Sequence, residues 1–243
     1  MNGPKAIAVA RRVLRQLRND RRTVALLLLV PPALTTLLWL VLDDELVFNR
    51  VGPQLVAIFP FTTMFLVTSI TMLRERTSGT LERLMTMPIA RLDLVAGYAI
   101  AFGVMASLQA TITATVALGL LGLDVAGAAP ALVITAVVVA QLGTAIGLLV
   151  SAFARSEFQA VQFLPLTVLP QLLLCGLFVP VDELRGWLQA IARVLPLRWG
   201  VRAMEDAAAA GRGAELATDI AVLAAFIAVG VALGALTLRR RTS

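Results

Sequence analysis

The sequence predicts an all-α membrane protein with six transmembrane helices, in a single domain that covers residues 1–243. The chain is 59% hydrophobic and only 15% charged, and its mean hydropathy is +0.88. A soluble domain is nearer half apolar and a quarter charged. The apolar residues also fall in continuous blocks of the length that spans a bilayer, about 20 residues. Because the blocks lack the alternation of a membrane β-barrel, each is predicted to be a helix.

An amphipathic arm, residues 1–22, precedes the first block. Arginines share one face of the predicted helix: Arg11, Arg15, Arg18 and Arg22. Apolar side chains share another face: Ala6, Ala10, Val13, Leu14 and Leu17. This pattern predicts a helix that lies on the inner leaflet, with its arginines toward anionic headgroups. A charged flank that only sets the orientation of the chain is the alternative.

The apolar blocks have predicted bounds of 23–42, 51–73, 94–123, 131–153, 158–179 and 220–238. The first block is too long for a cleaved signal peptide and is expected to stay as an anchor. The third is long enough to project into the cytoplasm. Prolines interrupt the first, second and fifth blocks: Pro31, Pro32, Pro60, Pro165 and Pro170. The bends make these three helices candidates for lining a pathway or moving, with ordinary packing kinks as the alternative.

The distribution of charge predicts which loops face the cytoplasm. With the N-terminus inside, 15 of the 21 Lys and Arg residues lie in cytoplasmic segments, while 10 of the 15 Asp and Glu residues lie outside. Cytoplasmic loops carry an excess of basic residues, so both termini are predicted to be cytoplasmic. Every basic cluster flanks a membrane span, which argues against binding of nucleic acid.

The predicted spans contain no Asp, Glu, Lys, Arg or His, and the whole chain has no histidine. This argues against a proton-coupled transporter, an intramembrane metalloprotease and a rhomboid-like serine protease, which need such groups. The chain also lacks the G-x-x-x-x-G-K-[ST] loop that binds ATP phosphates. Its one cysteine, Cys175, cannot form an intrachain disulfide. No catalytic residue or metal ligand is predicted.

Small and neutral polar side chains occupy the spans instead. Small residues recur at helical spacing in the fourth and sixth blocks and predict close helix packing: Gly143, Gly147, Ser151, Gly230 and Gly234. Amides and hydroxyls are expected to form interhelical hydrogen bonds or to line a substrate path. The candidates for that path are Thr36, Thr62, Gln162, Gln171, Cys175 and Phe178.

The inner loop, residues 74–93, has the sequence RERTSGTLERLMTMPIARLD. Ser78 or Gly79 can start a short helix, and Glu82 in its first turn is favoured by the helix dipole. An apolar stripe follows at helical spacing, formed by Leu81, Leu84 and Met85. Pro88 then stops the helix. Such a helix could rest on lipid or insert its apolar ridge into a groove on a partner.

The outer segment, residues 180–219, carries a second stripe on one face of a helix that Pro196 breaks. The stripe consists of Leu184, Trp187, Leu188, Ile191 and Leu195. Trp187 and Trp199 suit the level of the lipid headgroups. We therefore predict one or two short helices that dip into the outer leaflet or lie on it.

These two segments resemble the permease subunits of type 2 ABC transporters. The inner loop is similar to the family stretch E-R-x-x-G-T-L-E-x-L…P, here Glu75, Arg76, Gly79, Thr80, Leu81, Glu82, Leu84 and Pro88. The segment PQLLLCGLFVPVDELRGWLQAIARVLPLRW resembles the family's outer region, with matches at Pro170, Gly176, Phe178, Pro180, Leu188, Ile191, Pro196 and Leu197. The chain departs from the family pattern at three places. Cys175 stands where the family often has Ser, and Tyr98 stands where it often has Lys. The pair Arg198-Trp199 replaces a frequent Thr-Tyr pair.

The resemblance implies a non-catalytic subunit of the bacterial cytoplasmic membrane that works as a pair, here a homodimer, with two separate ATPase subunits. It implies that this chain binds no cofactor, while ATP and Mg²⁺ bind to the ATPase. The coupling residues would be Glu75, Arg76, Gly79, Thr80, Leu81, Glu82, Leu84, Met85 and Pro88. Uncharged spans favour export of an amphipathic or hydrophobic cargo such as a drug, antibiotic or lipid. The alternatives are a glycan exporter permease, an ATP-independent channel or facilitator, and an assembly or immunity protein.

Overall fold

Residues 3–80 and 90–237, the part of the chain that the computed structural model describes, fold into α-helices joined by short loops and one 3-10 turn. The helices are α1 (Gly3–Asn19), α2 (Arg21–Leu42), α3 (Glu45–Thr77), α4 (Arg91–Gly119), α5 (Ala129–Val150), α6 (Glu157–Leu174), α7 (Gly186–Val194), α8 (Pro196–Ala208) and α9 (Gly213–Leu236). The 3-10 turn is Val181–Glu183. The predicted all-α class is confirmed.

Five of the described helices, α2, α3, α4, α5 and α9, are long and apolar enough to cross a membrane. The fifth predicted span falls on α6, which has 18 residues and is not one of the five. Three glutamines and two prolines lower its apolar content. The helix also ends before the predicted bound of 179, because Gly176 turns the chain with a φ of +105°. Cys175 and Phe178 therefore lie outside α6.

Helix α3 is the longest of the described elements, with 33 residues. The Asp44 side chain accepts hydrogen bonds from the backbone of Leu46 and Val47 and so caps its start. At 1.5 Å per residue the helix is about 50 Å long, against about 30 Å for the hydrocarbon core of a bilayer. The helix thus extends well beyond the predicted span 51–73 at both ends.

Glycines let α5 pack closely between α3 and α9, as the small-residue pattern predicted. A methyl group on Gly143 would collide with the carbonyl oxygen of Phe61, and one on Gly147 would lie 2.6 Å from the carbonyl oxygen of Phe65. On the other side, a methyl group on Gly230 would lie 3.3 Å from the Cβ atom of Ala145. The backbones approach this closely only because no side chain separates them.

The amphipathic arm packs on the protein, which corrects the prediction that its apolar face lies on lipid. In α1 this face is buried and consists of Ala6, Val9, Ala10, Val13 and Leu17. It packs against α4, where a methyl group on Gly97 would lie 2.5 Å from the Cβ atom of Val9. Because α1 ends at Asn19, Arg22 belongs to α2 and does not share the arginine face.

The outer segment forms two short helices, as predicted, but α9 begins earlier than residue 220. On α7 the apolar stripe is partly exposed, with 63% of Trp187 accessible. Helix α8 instead buries Leu197, Val201 and Met204 against the bundle. This helix brings polar residues of the outer segment close to the start of α3.

Candidate functional site at the loop end of α3

The base of the inner loop is a sharp turn that follows α3. The Ser78 and Thr80 hydroxyl groups lie 2.9 Å apart on either side of Gly79. Gly79 has a φ of +71°, a conformation that favours glycine. The other predicted coupling residues, Leu81, Glu82, Leu84, Met85 and Pro88, lie outside the described residues.

Glu75, one turn before the loop, is buried, and only 6% of its surface is accessible. Its carboxylate accepts a hydrogen bond from the Gln16 amide at 3.2 Å and lies 3.6 Å from the Arg12 guanidinium group. The hydroxyl group of Tyr98 on α4 is buried beside these two charges. Glu75 therefore joins the base of the loop to α1 and α4 and is not available as a surface contact.

The spacing of apolar residues along α3 already indicates that Glu75 is buried. Buried residues follow one face of α3 at spacings of three and four: Phe61, Phe65, Thr68, Met72 and Glu75. Because residues at these spacings lie on one face of a helix, the Glu75 carboxylate lies on the same buried face as the apolar residues before it. Arg76, on the next position, donates a hydrogen bond from Nη2 to the Thr237 hydroxyl at 3.2 Å and so joins α3 to the end of α9.

A bidentate ion pair connects α3 to α6 at the same end of the molecule. The Nε and Nη2 atoms of Arg74 donate to the Glu157 carboxylate at 2.7 and 2.8 Å. Both side chains are more than half exposed. The hydrogen bond from Arg74 lowers the pKa of Glu157.

A cavity of about 580 Å³ opens between α1, α2 and α3 beside the loop. Apolar side chains form part of its wall: Leu26, Leu66, Val67 and Ile70. Polar side chains line the rest: Gln16, Asp20, Thr23, Arg74, Glu75 and Thr80. The Asp20 carboxylate accepts hydrogen bonds from the hydroxyl and backbone of Thr23, which lower the pKa of Asp20. This inner cavity offers both apolar and polar contacts to a ligand.

The predicted substrate-path residues do not come together. The hydroxyl groups of Thr36 and Thr62 each donate to a carbonyl of their own helix, at 2.8 Å, instead of to a neighbouring helix. Gln162 is exposed on α6. Gln171 is buried and connects α6 to α8, since its Oε1 atom accepts a hydrogen bond from the backbone of Leu197 at 3.2 Å.

Cys175 and Phe178 line one cavity together, at the opposite end of the molecule from the loop. This outer cavity also contains polar residues that the sequence analysis did not single out: Arg50, Gln54, Arg202 and Glu205. They come from α3 and α8, and no local pattern in the sequence connects them.

The sequence matches a model of the ABC-2 type transporter family over residues 6–207. Among curated proteins, it is 29% identical over 148 residues to the "Probable multidrug ABC transporter permease YbhR" of Escherichia coli (strain K12), covering 61% of this chain and 40% of that protein. It is 28% identical over 170 residues to the "Linearmycin resistance permease protein LnrN" of Bacillus subtilis (strain 168), covering 70% and 44%. It is 25% identical over 162 residues to the "ABC transporter G family member 20" of Dictyostelium discoideum, covering 67% and 22%. The chain thus aligns with less than half the length of these relatives.

Proposed function

Because the chain belongs to the ABC-2 type transporter family, we propose that it is the permease subunit of an ATP-driven exporter in a bacterial cytoplasmic membrane. The observation that carries this proposal is the family match, which covers residues 6–207. A separate ATPase binds ATP and Mg²⁺ and docks on the loop after α3, through the segment from Gly79 to Pro88. Two permease chains and two ATPase subunits form the complex.

In the proposed topology α6 also crosses the membrane, as the fifth span in chain order, which brings the number of spans to six. At 1.5 Å per residue its 18 residues are about 27 Å long, close to the thickness of the hydrocarbon core. The helix begins at Glu157, paired with Arg74 near the loop, and ends beside the outer cavity. An even number of spans places both termini on one side, and the excess of basic residues assigns that side to the cytoplasm.

Helix α3 can transmit movement of the loop because it lines both cavities. It contributes Leu66, Val67 and Ile70 to the inner cavity and Arg50 and Gln54 to the outer one. These two sets lie about 18–30 Å apart along a continuous helix. When the ATPase moves the loop, a tilt of α3 changes the two cavities together. Alternating access to the two sides follows from that coupling.

The inner cavity supports an amphipathic or hydrophobic cargo taken from the cytoplasmic side. Its apolar wall suits an acyl chain or ring system, and its polar wall suits a headgroup. The relatives named for multidrug transport and linearmycin resistance agree with a drug-like or antibiotic-like cargo.

Two substitutions in the loop test the proposal. Glu82→Arg and Leu84→Asp should leave membrane insertion intact but abolish ATPase binding and substrate-stimulated ATP hydrolysis, because both lie on the proposed docking helix. Glu183→Arg is the matched control, since it reverses an exposed charge in the 3-10 turn at the opposite end of the molecule. Full binding and coupling in both loop variants, or solute flux through the purified chain without ATP, would refute the assignment.

A further inference from the structure

The outer cavity has the features of a small headgroup site. Its volume is about 300 Å³, at the lower end of the range for small-molecule sites. Three segments enclose it: the start of α3, the chain from Cys175 to Asp182, and α8. The residues that carry its chemistry are Arg50, Gln54, Phe178, Arg198, Arg202 and Glu205.

Two of the three arginines that line the cavity have no ion-pair partner among the described residues. Of the three arginines, Arg202 is neutralised by Asp219, with nitrogen–oxygen distances of 2.8 Å. Arg50 and Arg198 form no ion pair with any other residue that the structure describes. Burial, together with the charges of Arg202 and Arg193, lowers the pKa of Arg198. An anion beside Arg198 would offset this repulsion, and Arg50 lines the same cavity.

Two carboxylates, Asp182 and Glu205, also line the cavity. Asp182 is exposed, and burial raises the pKa of Glu205 even though part of its side chain faces solvent. Glu205 also accepts a hydrogen bond from Nε2 of Gln54 at 3.1 Å. Neither Glu205 nor Asp182 forms an ion pair with Arg50 or Arg198 in the part of the chain that the structure describes, so both guanidinium groups can still donate to a ligand.

Gln54 gives a second and independent indication of a ligand. The residue is only 7% exposed and lines the cavity. Its Oε1 atom is buried and has no hydrogen-bond partner among the described residues. Since a buried polar atom is normally hydrogen-bonded, a ligand that carries a hydroxyl or amide donor would satisfy it.

Part of the cavity wall is apolar. Val51, Leu177 and Phe178 line it, and 67% of the Phe178 surface is accessible. A headgroup held by the arginines would therefore continue into a hydrophobic tail along Phe178.

We propose that this cavity binds the headgroup of an acidic amphiphile, with its carboxylate or phosphate on Arg50 and Arg198 and a hydroxyl or amide donor on Gln54. The role of the site as the release site for cargo rests on the proposed exporter function, whereas binding itself does not. The ligand is either exported cargo or an anionic lipid of the outer leaflet, because both carry the same chemistry.

The test measures binding of 11-(dansylamino)undecanoate, a fluorescent acidic amphiphile, to the full chain in nanodiscs of zwitterionic lipid. Its methyl ester is the neutral control. We expect the acid to bind about tenfold more tightly than the ester, because charge-assisted hydrogen bonds are lost in the ester. Equal affinity of the two probes would overturn the proposal.

Variants locate the probe. Arg198→Gln and Arg50→Gln should each weaken binding of the acid about tenfold and leave the ester unaffected. Arg185→Gln, an exposed arginine of the same segment outside the cavity, should bind like the parent protein. Arg198→Lys keeps the charge and should retain most of the affinity, which separates loss of charge from misfolding. Normal binding of the acid in both glutamine variants, or equal losses in Arg198→Lys and Arg198→Gln, would refute the site.

Competition identifies the source of the ligand. Displacement of the probe in proportion to phosphatidylglycerol in the nanodisc would identify a bilayer lipid, whereas displacement only by added dodecanoate would identify a free amphiphile. Either result supports the site. If the probe binds but the complex lacks ATP-driven transport, the exporter function fails and the site stands. If transport occurs with no charge-dependent binding, the site fails and the function stands.

Discussion

Replacing Arg12 by glutamine is predicted to destabilise the protein more than replacing Arg74, although Arg74 forms the shorter ion pair. The Arg74–Glu157 pair has a nitrogen–oxygen distance of 2.7 Å, but its side chains are 59% and 53% exposed. The Arg12–Glu75 pair is longer, at 3.6 Å, but the Glu75 side chain is only 8% exposed. The two variants therefore test whether the nitrogen–oxygen distance or the burial of the carboxylate has the larger effect on stability.

Burial should dominate, because water can replace a lost partner only at an exposed carboxylate. Exposed ion pairs contribute about 0.2–1 kcal/mol. Breaking a fully buried pair costs about 3–5 kcal/mol. Since Arg12 is 37% exposed and Gln16 still donates to Glu75, we expect about 1–2 kcal/mol for Arg12→Gln. For a chain of this size that loss lowers the unfolding temperature by about 2–8 °C.

The single cysteine provides the assay. Cys175 is 3% exposed, so a thiol-reactive fluorophore should label it only as the protein unfolds on heating in nanodiscs. A double variant, Arg12→Gln with Glu75→Gln, removes both charges and should recover at least half of the loss from Arg12→Gln alone. The reasoning fails if Arg74→Gln lowers the unfolding temperature as much as Arg12→Gln, or if the double variant is no more stable than Arg12→Gln.

Three further predictions concern packing, the loop and pH. Gly143→Ala should lower the free energy of unfolding by about 1–3 kcal/mol in the thermal assay, because its methyl group meets the backbone of α3. Gly234→Ala should be neutral or slightly stabilising, because the nearest atom to its methyl group is 3.8 Å away. Equal effects of the two substitutions would contradict the close packing. Gly79→Ala should introduce about 1 kcal/mol of backbone strain, because alanine disfavours the positive φ of this position. A titration should then show ATPase binding weakened about fivefold, with membrane insertion unchanged. Unaltered affinity would show that the turn tolerates a side chain. Burial raises the pKa of Glu205 above 4.5, so the folded state holds its proton more tightly than the unfolded state, and the protein should lose stability as the pH rises through that raised pKa. In unfolding temperatures measured from about pH 4 to 8, Glu205→Gln should remove this part of the pH dependence. An unchanged pH dependence in that variant would contradict the prediction.

Local patterns in the sequence determined the class of the protein and most of its helices. Continuous apolar blocks require helices in a membrane, and the spacing of Gly143 and Gly147 already specified a face that packs closely. The resemblance to type 2 ABC transporter permeases, carried by the inner loop and the outer segment, was confirmed by the family match. Each of these features depends on residues within a few turns of one another.

The tertiary structure decided which faces of those helices meet. It covered the apolar face of α1 with α4 instead of lipid, and it paired Arg12 with Glu75 and Gln54 with Glu205, residues that are 63 and 151 positions apart in the chain. The hydroxyl groups of Thr36 and Thr62 donate to carbonyl groups of their own helices and not to a neighbouring helix. Such pairings are set by packing of the whole bundle, in which a charge at the end of an apolar stripe is buried when a partner from another helix reaches it. The spans contain no Asp, Glu, Lys, Arg or His within their predicted bounds. The buried carboxylate of Glu75 follows the second span and Arg50 directly precedes it, whereas Arg198 and Arg202 belong to the outer segment. Only the fold could bring Glu75 beside Arg12 and gather the arginines into one cavity, because these groups come from distant parts of the chain.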